Sequence, residues 1–160
     1  MKVLTVYANP NPRSFCHAIL EQFSQGLENA GHTNEVVDLY AMKFDPVLKL
    51  RDYTNWIERV FTYGFAYSLT SEGWQGEIKG RVPLFKHEKA LIISTTLFNE
   101  KAYQSGLSQA MKRLIDDFGF RYPGIKNVNH VYFYSVGEVD AATRQNYLQQ
   151  AYRLGKEFAQ

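Results

Sequence analysis

The chain opens on Val3-Leu4-Thr5-Val6-Tyr7, an apolar and β-branched run that passes directly into Ala8-Asn9-Pro10-Asn11-Pro12-Arg13-Ser14 before a helical pattern begins. A short continuous apolar run predicts a strand buried in a parallel sheet, since a half-exposed strand would alternate. Pro10 and Pro12 each bias the preceding residue away from the α region, so the helix is held off until about Arg13 or Ser14. Such a corner leaves helix N-terminal amides without partners beyond the strand's carboxyl end. With the positive end of the helix dipole, they form an anion site. The loop has no glycine fingerprint of the dinucleotide type; Asn, Ser and Arg would bind phosphate through side chains as well. Taken alone, Ser14 reads as an ordinary helix cap. A second corner of the same kind shifts the balance.

That corner follows Ala90-Leu91-Ile92-Ile93-Ser94-Thr95-Thr96, the strongest buried-strand signal in the chain. Asn99-Glu100-Lys101 then opens a helix expected from about Ala102 to Phe118, with Leu107, Ala110, Met111 and Leu114 on its inner face and Gly119 as its end. Earlier, Phe15, Ala18, Ile19, Phe23 and Leu27 predict a helix to about Asn29, stopped by Gly31. Residues 35–40 then form a second strand, parallel to the first. Residues 129–134 predict a fourth strand. Asp140 is expected to cap a last helix to Phe158, with Leu148, Tyr152 and Leu154 facing inward. Alternating strands and helices imply an α/β fold, a doubly wound parallel sheet whose ligand lies outside the carboxyl ends of the strands. Both corners, 9–15 and 95–103, belong on that edge. Residues 41–89 break the pattern. They contain no convincing strand, Ile57, Val60 and Phe61 suggest a short helix, and a structureless connection of such length is improbable in a compact domain.

At 160 residues the chain fits one domain, 1–160. A formal charge of +2, with no basic stripe, argues against a nucleic-acid partner. Eleven Tyr and eleven Phe suit a stacking pocket or an aromatic interface without choosing between them. The single cysteine, Cys16, excludes an intramolecular disulfide and fits a reducing compartment. No apolar run reaches membrane-spanning length, and Met1-Lys2 leads straight into the first strand, so a cytoplasmic location without a signal peptide is expected. His17, His32, His87 and His130 show no metal-like spacing and read as structural or surface residues, so no metal is expected. Asp116-Asp117 and Glu138 read as solvated faces.

Four stretches, in order, resemble the flavodoxin-fold NAD(P)H:quinone oxidoreductases, the DT-diaphorase family. Tyr7-Ala8-Asn9-Pro10 with Ser14-Phe15 is similar to the family's flavin-phosphate loop. Residues 58–67 are similar to the segment leading into the substrate-covering aromatic loop. Residues 89–96 with Ala102-Tyr103 resemble the strand and loop that grip the flavin ring and supply a tyrosine near its reactive face. Ser135-Val136-Gly137 through Arg144 is similar to the stretch whose arginine approaches the far end of an FAD. The chain departs from the family pattern between its second strand and residue 58, where a third parallel strand and a Pro/Trp-rich ring-binding loop are missing. The resemblance therefore implies a sheet of four strands, order 2-1-4-5 in family labels. Leu97-Phe98 stand in place of a glycine pair, and Gln109 where some members have histidine.

The resemblance implies FAD or FMN as cofactor, NAD(P)H as donor, a quinone or similar flat aromatic acceptor, and a homodimer with the site at its interface. Asn9, Asn11, Ser14, Phe15 and Cys16 would line the phosphate end, although Ser14 and Phe15 read equally as cap and core, and Cys16 reads as a small buried filler. Thr95, Thr96, Leu97 and Phe98 would meet the ring; the two threonines also read as strand-terminal turn formers. Tyr103 is the catalytic candidate, its phenol stabilising charge as the acceptor is reduced, and it also reads as an amphipathic residue in a first helical turn. Tyr63, Phe65 and Tyr67 would roof the acceptor or pack in a dimer interface. Arg144 would reach adenine or ribose, or is a plain exposed helix arginine. The rival expectation is a flavin-free, non-catalytic member that keeps the scaffold as a binding module.

Overall fold

The computed structural model describes residues 1–44 and 60–158. The chain falls into two compact units, Met1–Asp45 with Ser135–Gln160, and Pro46–Tyr134. In the first, β1 (Lys2–Tyr7) and β2 (Thr33–Asp38) pair in parallel from Lys2↔Thr33 to Tyr7↔Asp38. Between them α1 (Phe15–Asn29) starts at Ser14, whose hydroxyl accepts from the His17 amide at 3.2 Å. Gly31 ends it at φ 77°, a conformation that other residues adopt with strain. β2 stops at Asp38, short of the Leu39 and Tyr40 expected from the sequence. The Asp38 carboxylate accepts from the Tyr40 and Ala41 amides at 2.9 and 3.0 Å and turns the chain away.

α5 (Ala141–Glu157) completes this unit, capped by Asp140, which accepts from the Thr143 amide at 2.7 Å. α1 and α5 pack so closely that Gly26 meets the main chain of Tyr152 and Lys156, while Gly155 meets that of Phe23 and Leu27. The centre of the α5 face is thus Ala151 and Gly155, both buried, with the expected Leu148, Tyr152 and Leu154 half-buried around them. Hydrophobic periodicity looks for large side chains, whereas this crossing is close because it has almost none. Of β1, Val3 and Tyr7 are buried but Leu4 is 56% exposed, so the strand is covered on one face and the expectation of burial on both is corrected. On the covered face Thr5 donates to Asn34 at 2.6 Å, and Asn34 donates to Ser24 of α1 at 2.9 Å.

In the second unit, β5 (Lys89–Thr95) and β6 (Asn127–Phe133) pair in parallel from Lys89↔Asn127 to Thr95↔Phe133. The two parallel pairs carry the adjacencies 2-1 and 4-5 expected for the four long strands. Between β5 and β6 lie α3 (Glu100–Ala102), a π-helical turn (Tyr103–Leu107), α4 (Ser108–Met111) and a second π-helical stretch (Lys112–Arg121). Gly119 does not end this segment: it lies buried inside it. The stop comes at Pro123, which has no amide hydrogen to continue a helix, and at Gly124 with φ 121°. The expected inner face is also corrected: Leu107 is 40% and Leu114 65% exposed, and the buried positions are Asp116 and Gly119.

Residues 60–88 are less irregular than expected. β3 (Tyr67–Leu69) and β4 (Arg81–Pro83) pair antiparallel, joined through α2 (Ser71–Trp74) and a 3₁₀ turn (Ile78–Gly80). Gly73 and Gly80 touch main chain to main chain, and the Thr70 amide donates to Gly80 at 2.7 Å. Strands of three residues are too short to show a period of two. The helix expected around Ile57 lies largely outside the described residues. Among the described residues no parallel strand lies between β2 and β5.

Candidate functional site

The first corner forms as expected, from contiguous residues. Asn9 accepts from the Asn11 amide at 2.9 Å and Asn11 from the Arg13 amide at 3.0 Å, two side-chain turns that lead the chain into α1. The side-chain oxygens of both candidates therefore serve the loop, and each keeps its amide nitrogen as the donor available to an anion. Ser14 Oγ is shared between the His17 amide and the Tyr7 hydroxyl, 3.5 Å away. The first turn of α1 contains no acidic residue. Arg144, far along the chain, lies with its guanidinium 5.7 Å from the Phe15 ring centroid and donates to the Gly137 carbonyl at 3.4 Å. The Tyr147 ring also lies beside Phe15, centroids 6.5 Å apart. Ser14, Phe15 and Arg144 are thus brought to one place by the α1–α5 contact, and the next residue, Cys16, is half-buried.

This donor set fits the phosphate end of a flavin nucleotide: helix-terminal amides, a hydroxyl, the Arg144 guanidinium, and no acidic residue in the first turn of α1.

The second corner differs from expectation. Thr96 is buried, its amide donates to Phe133 at 2.9 Å, and its hydroxyl donates to the Phe98 carbonyl at 2.7 Å, so that hydroxyl holds its own loop. Thr95 ends β5, opposite Phe133. Leu97 and Phe98 present 69% and 57% of their surface, an apolar lip where a flat ring can rest. Tyr103 opens the π-helical turn, with its ring 5.3 Å from Tyr132 and 5.5 Å from Tyr134. Gly106, at φ 124°, breaks the regular helix just beyond.

Tyr63, Phe65 and Tyr67 gather elsewhere. Tyr63 packs on Tyr67 and Trp74, Phe65 on Phe85, and Tyr67 on Tyr122. Tyr122 follows the far end of the helical segment that Tyr103 begins. At 1.5 Å per residue, the stretch 108–121 alone is roughly 20 Å long. Among the described residues no ring contact joins the expected acceptor roof to Tyr103 within one chain.

One constellation escaped the sequence reading. His130 Nδ1 lies 2.8 Å from Asp116 Oδ1, its Nε2 lies 2.9 Å from Ser94 Oγ, and the Tyr132 hydroxyl lies 3.2 Å from Nδ1. The side chains of His130 and Asp116 are 4% and 6% exposed. Of the two readings for His130, structural or surface, the structural one holds, with Asp116 as its acidic companion, and Asp116 is no solvated face. Asp117 is paired as well, with Arg121 at 2.6 Å. Burial pushes the His130 pKa down, against the opposing pull of Asp116. Burial, and then the Asp116 charge, push the Tyr132 phenol up to about 12. A polar Ser94 inside an apolar strand was the one available signal. Among the described residues no group of three or more His, Cys, Asp or Glu is placed to hold a metal ion.

A family model described as a flavodoxin-like fold matches residues 1–55 and 53–154. The chain belongs to the flavodoxin-like fold family. It is 42% identical over 65 residues to the ribosyldihydronicotinamide dehydrogenase (quinone) of Pongo abelii, a match that covers 39% of this chain and 28% of that relative. The chain thus spans well under a third of the curated relative's length in that match. Among solved structures, the NAD(P)H:quinone oxidoreductase of Methanothermobacter marburgensis superposes with a TM-score of 0.85 at 24% identity, over 99% of this chain and 98% of that one. The FMN-dependent NADH-azoreductase of Bacillus anthracis, solved in complex with FMN, gives a TM-score of 0.66 at 13% identity, over 99% of each chain. Within the flavodoxin-like family the chain is similar to quinone oxidoreductases, as its motifs implied.

Proposed function

We propose that this flavodoxin-like protein is a flavin-dependent NAD(P)H:quinone oxidoreductase with a quinone-like, flat aromatic acceptor. The observation that carries the reading is the meeting of Ser14, Phe15 and Arg144 at the acid-free N-terminus of α1. When bound, FAD or FMN supplies the hydride relay between nicotinamide and acceptor at one shared face, which implies ping-pong kinetics. Ser14 and the first amides of α1 hold the phosphate. Arg144 adds a cation there and, for FAD, reaches adenine or ribose. Within the second unit, Leu97 and Phe98 expose an apolar surface suited to a flat ring in place of a bare glycine backbone. Tyr103 donates a hydrogen bond to the acceptor oxygen on which negative charge develops, a contribution of about 100- to 1,000-fold in rate.

A homodimer is part of the proposal. Leu107, Leu114 and Phe118 form an exposed apolar stripe, 40%, 65% and 57% accessible, along the segment between the Tyr103 end and the Tyr122 end. A second copy covering that stripe in antiparallel sense would lay its Tyr63–Phe65–Tyr67 cluster near Tyr103 and supply the roof. The proposed setting is cytoplasmic; among the described residues no helix is long and apolar enough to cross a membrane.

The second reading, a flavin-free binding module, draws on the closed Thr96–Phe98 hydrogen bond. One preparation separates the two. Purified protein incubated with FMN or FAD and desalted is expected to keep a flavin absorption band that bleaches with NAD(P)H and returns on adding a benzoquinone. A colourless product with either flavin would refute the proposal and leave the binding module.

A further inference from the structure

We propose that the buried chain Ser94–His130–Asp116, with Tyr132 laid over the imidazole, is a positioning device that sets the phenol of Tyr103. The inference rests on Tyr103 serving the acceptor site. In the β5–β6 register Ser94 lies opposite Tyr132, and His130 opposite Ile92, so Ser94, His130 and Tyr132 share one face of the pair. Asp116 arrives from the π-helical stretch Lys112–Arg121. In one neutral tautomer Nδ1–H donates to Asp116 at 2.8 Å and Nε2 accepts from the Ser94 hydroxyl at 2.9 Å. The ring is thereby locked in rotation. Tyr132 stacks on it, centroids 4.2 Å apart and planes at 18°. Tyr134 stacks on Tyr132 in turn at 5.8 Å and 12°, and the Tyr103 ring touches both tyrosines.

The backbone of Tyr103 does not hold its ring by itself. It lies in a π-helical turn broken by Gly106, where the Tyr103 carbonyl accepts from the Ser108 hydroxyl at 2.9 Å. Packing against Tyr132 and Tyr134 therefore decides where the phenol sits. Serine, histidine and aspartate in this order also describe a nucleophilic hydrolase, but Ser94 lies inside the β5 ladder and the imidazole is 4% exposed. With its base buried and its hydroxyl already bonded to the imidazole, the trio lacks the open cleft a nucleophilic serine needs. The arrangement orients an aromatic stack (as a second layer of hydrogen bonds orients a metal ligand) and its output is the position of a phenol.

The test uses Ser94→Ala, Ser94→Thr and Asp116→Asn, each alone and, for Asp116→Asn, with Tyr103→Phe. In flavin-free protein labelled with ¹³Cζ-tyrosine, the Tyr103 resonance, assigned by its loss in Tyr103→Phe, is expected to move in Ser94→Ala and Asp116→Asn and to return in Ser94→Thr. In flavin-loaded protein Asp116→Asn is expected to slow benzoquinone reduction about tenfold, leave reduction by NAD(P)H unchanged, and add less than about twofold to the loss in Tyr103→Phe. An unmoved Tyr103 resonance in Ser94→Ala that retains native circular dichroism overturns the inference, as do losses that multiply fully in the double variant. If the resonance moves but Tyr103→Phe reduces benzoquinone at the parent rate, the positioning stands and the acceptor role of Tyr103 falls.

Discussion

Gly26→Ala is the substitution whose cost can be worked most directly from the structure. A Cβ at Gly26 would strike the Tyr152 carbonyl oxygen and lie 2.8 Å from the Lys156 nitrogen and 3.1 Å from the Tyr152 carbonyl carbon. All three atoms are main chain of α5, so none can turn aside. Unstrained carbon contacts need about 3.5 Å, so the two helices must separate by roughly 1 Å. Across the seam Gly155 meets Phe23 and Leu27 in the same way, at 3.0 Å from the Phe23 carbonyl carbon and 3.1 Å from the Leu27 nitrogen, which leaves no slack on that side. In an exposed helix this replacement would gain about 1 kcal/mol from propensity. Against that gain stand overpacking, about 1–3 kcal/mol, and looser contact around the fully buried Leu27 and Ala151. The expected net loss is about 2 kcal/mol, which for a chain of this size lowers Tm by roughly 4–8 °C. Gly137→Ala, with nothing within 4 Å of its Cβ, is the control and should stay within about 0.5 kcal/mol. Thermal and urea unfolding followed by circular dichroism read both. Because the same contact brings Phe15 to Arg144 and Tyr147, Gly26→Ala should also weaken flavin binding where Gly137→Ala does not. A Gly26→Ala protein as stable as the parent would refute this account of the seam.

Two further predictions concern the second unit. Leu114→Glu and Phe118→Glu place charges on the exposed apolar stripe and should convert a dimer to a monomer in light scattering, with the secondary structure kept; a parent that is already monomeric removes the composite site. The second concerns acid. Burial holds the folded-state pKa of His130 below its ordinary 6.5, while Asp116 partly opposes the shift and Tyr132, Tyr134 and Tyr103 stand on the same side. Between the folded and unfolded values the unfolded chain binds the extra proton, so stability falls as pH drops below about 6.5 and is regained above it. His130→Gln should flatten that slope in urea midpoints taken across the window, and an unchanged slope would contradict the assignment.

How much of this could be read from the sequence depended on how local each cause was. The corner from Tyr7 to Phe15 was legible because its strand, its two prolines and its cap are contiguous, and each acts on its neighbours. The four long strands and the Ser14 and Asp140 caps were legible for the same reason. The stripe at Leu107, Ala110 and Leu114 was seen as a period but given the wrong direction, since periodicity shows that residues share a face and not what that face meets. The α1–α5 seam was hidden because its determining residues are glycines and an alanine, which carry little hydrophobic signal. Asp116 and His130 were hidden by distance: they lie on different elements, and an Asp-Asp pair in a helix resembles a solvated face until one member is seen to turn inward.

The same distinction bears on Thr96 and the loop that follows it. A hydroxyl at a strand's end can meet a polar ring edge, yet at Thr96 the chain itself takes that hydroxyl through the Phe98 carbonyl. The bond also explains how Leu97 and Phe98 can replace a glycine pair. With the loop pinned beneath them, their side chains project outward, 69% and 57% exposed, and supply by apolar contact what a bare backbone would supply by close approach. A ring held this way depends on shape and burial more than on hydrogen bonds to its polar edge. Thr96→Val, which removes the pin at nearly constant volume, should therefore loosen flavin binding through Leu97 and Phe98, whereas Thr96→Ser, which keeps the hydroxyl, should not. Equal flavin affinity in the two variants would show that the lip needs no pin.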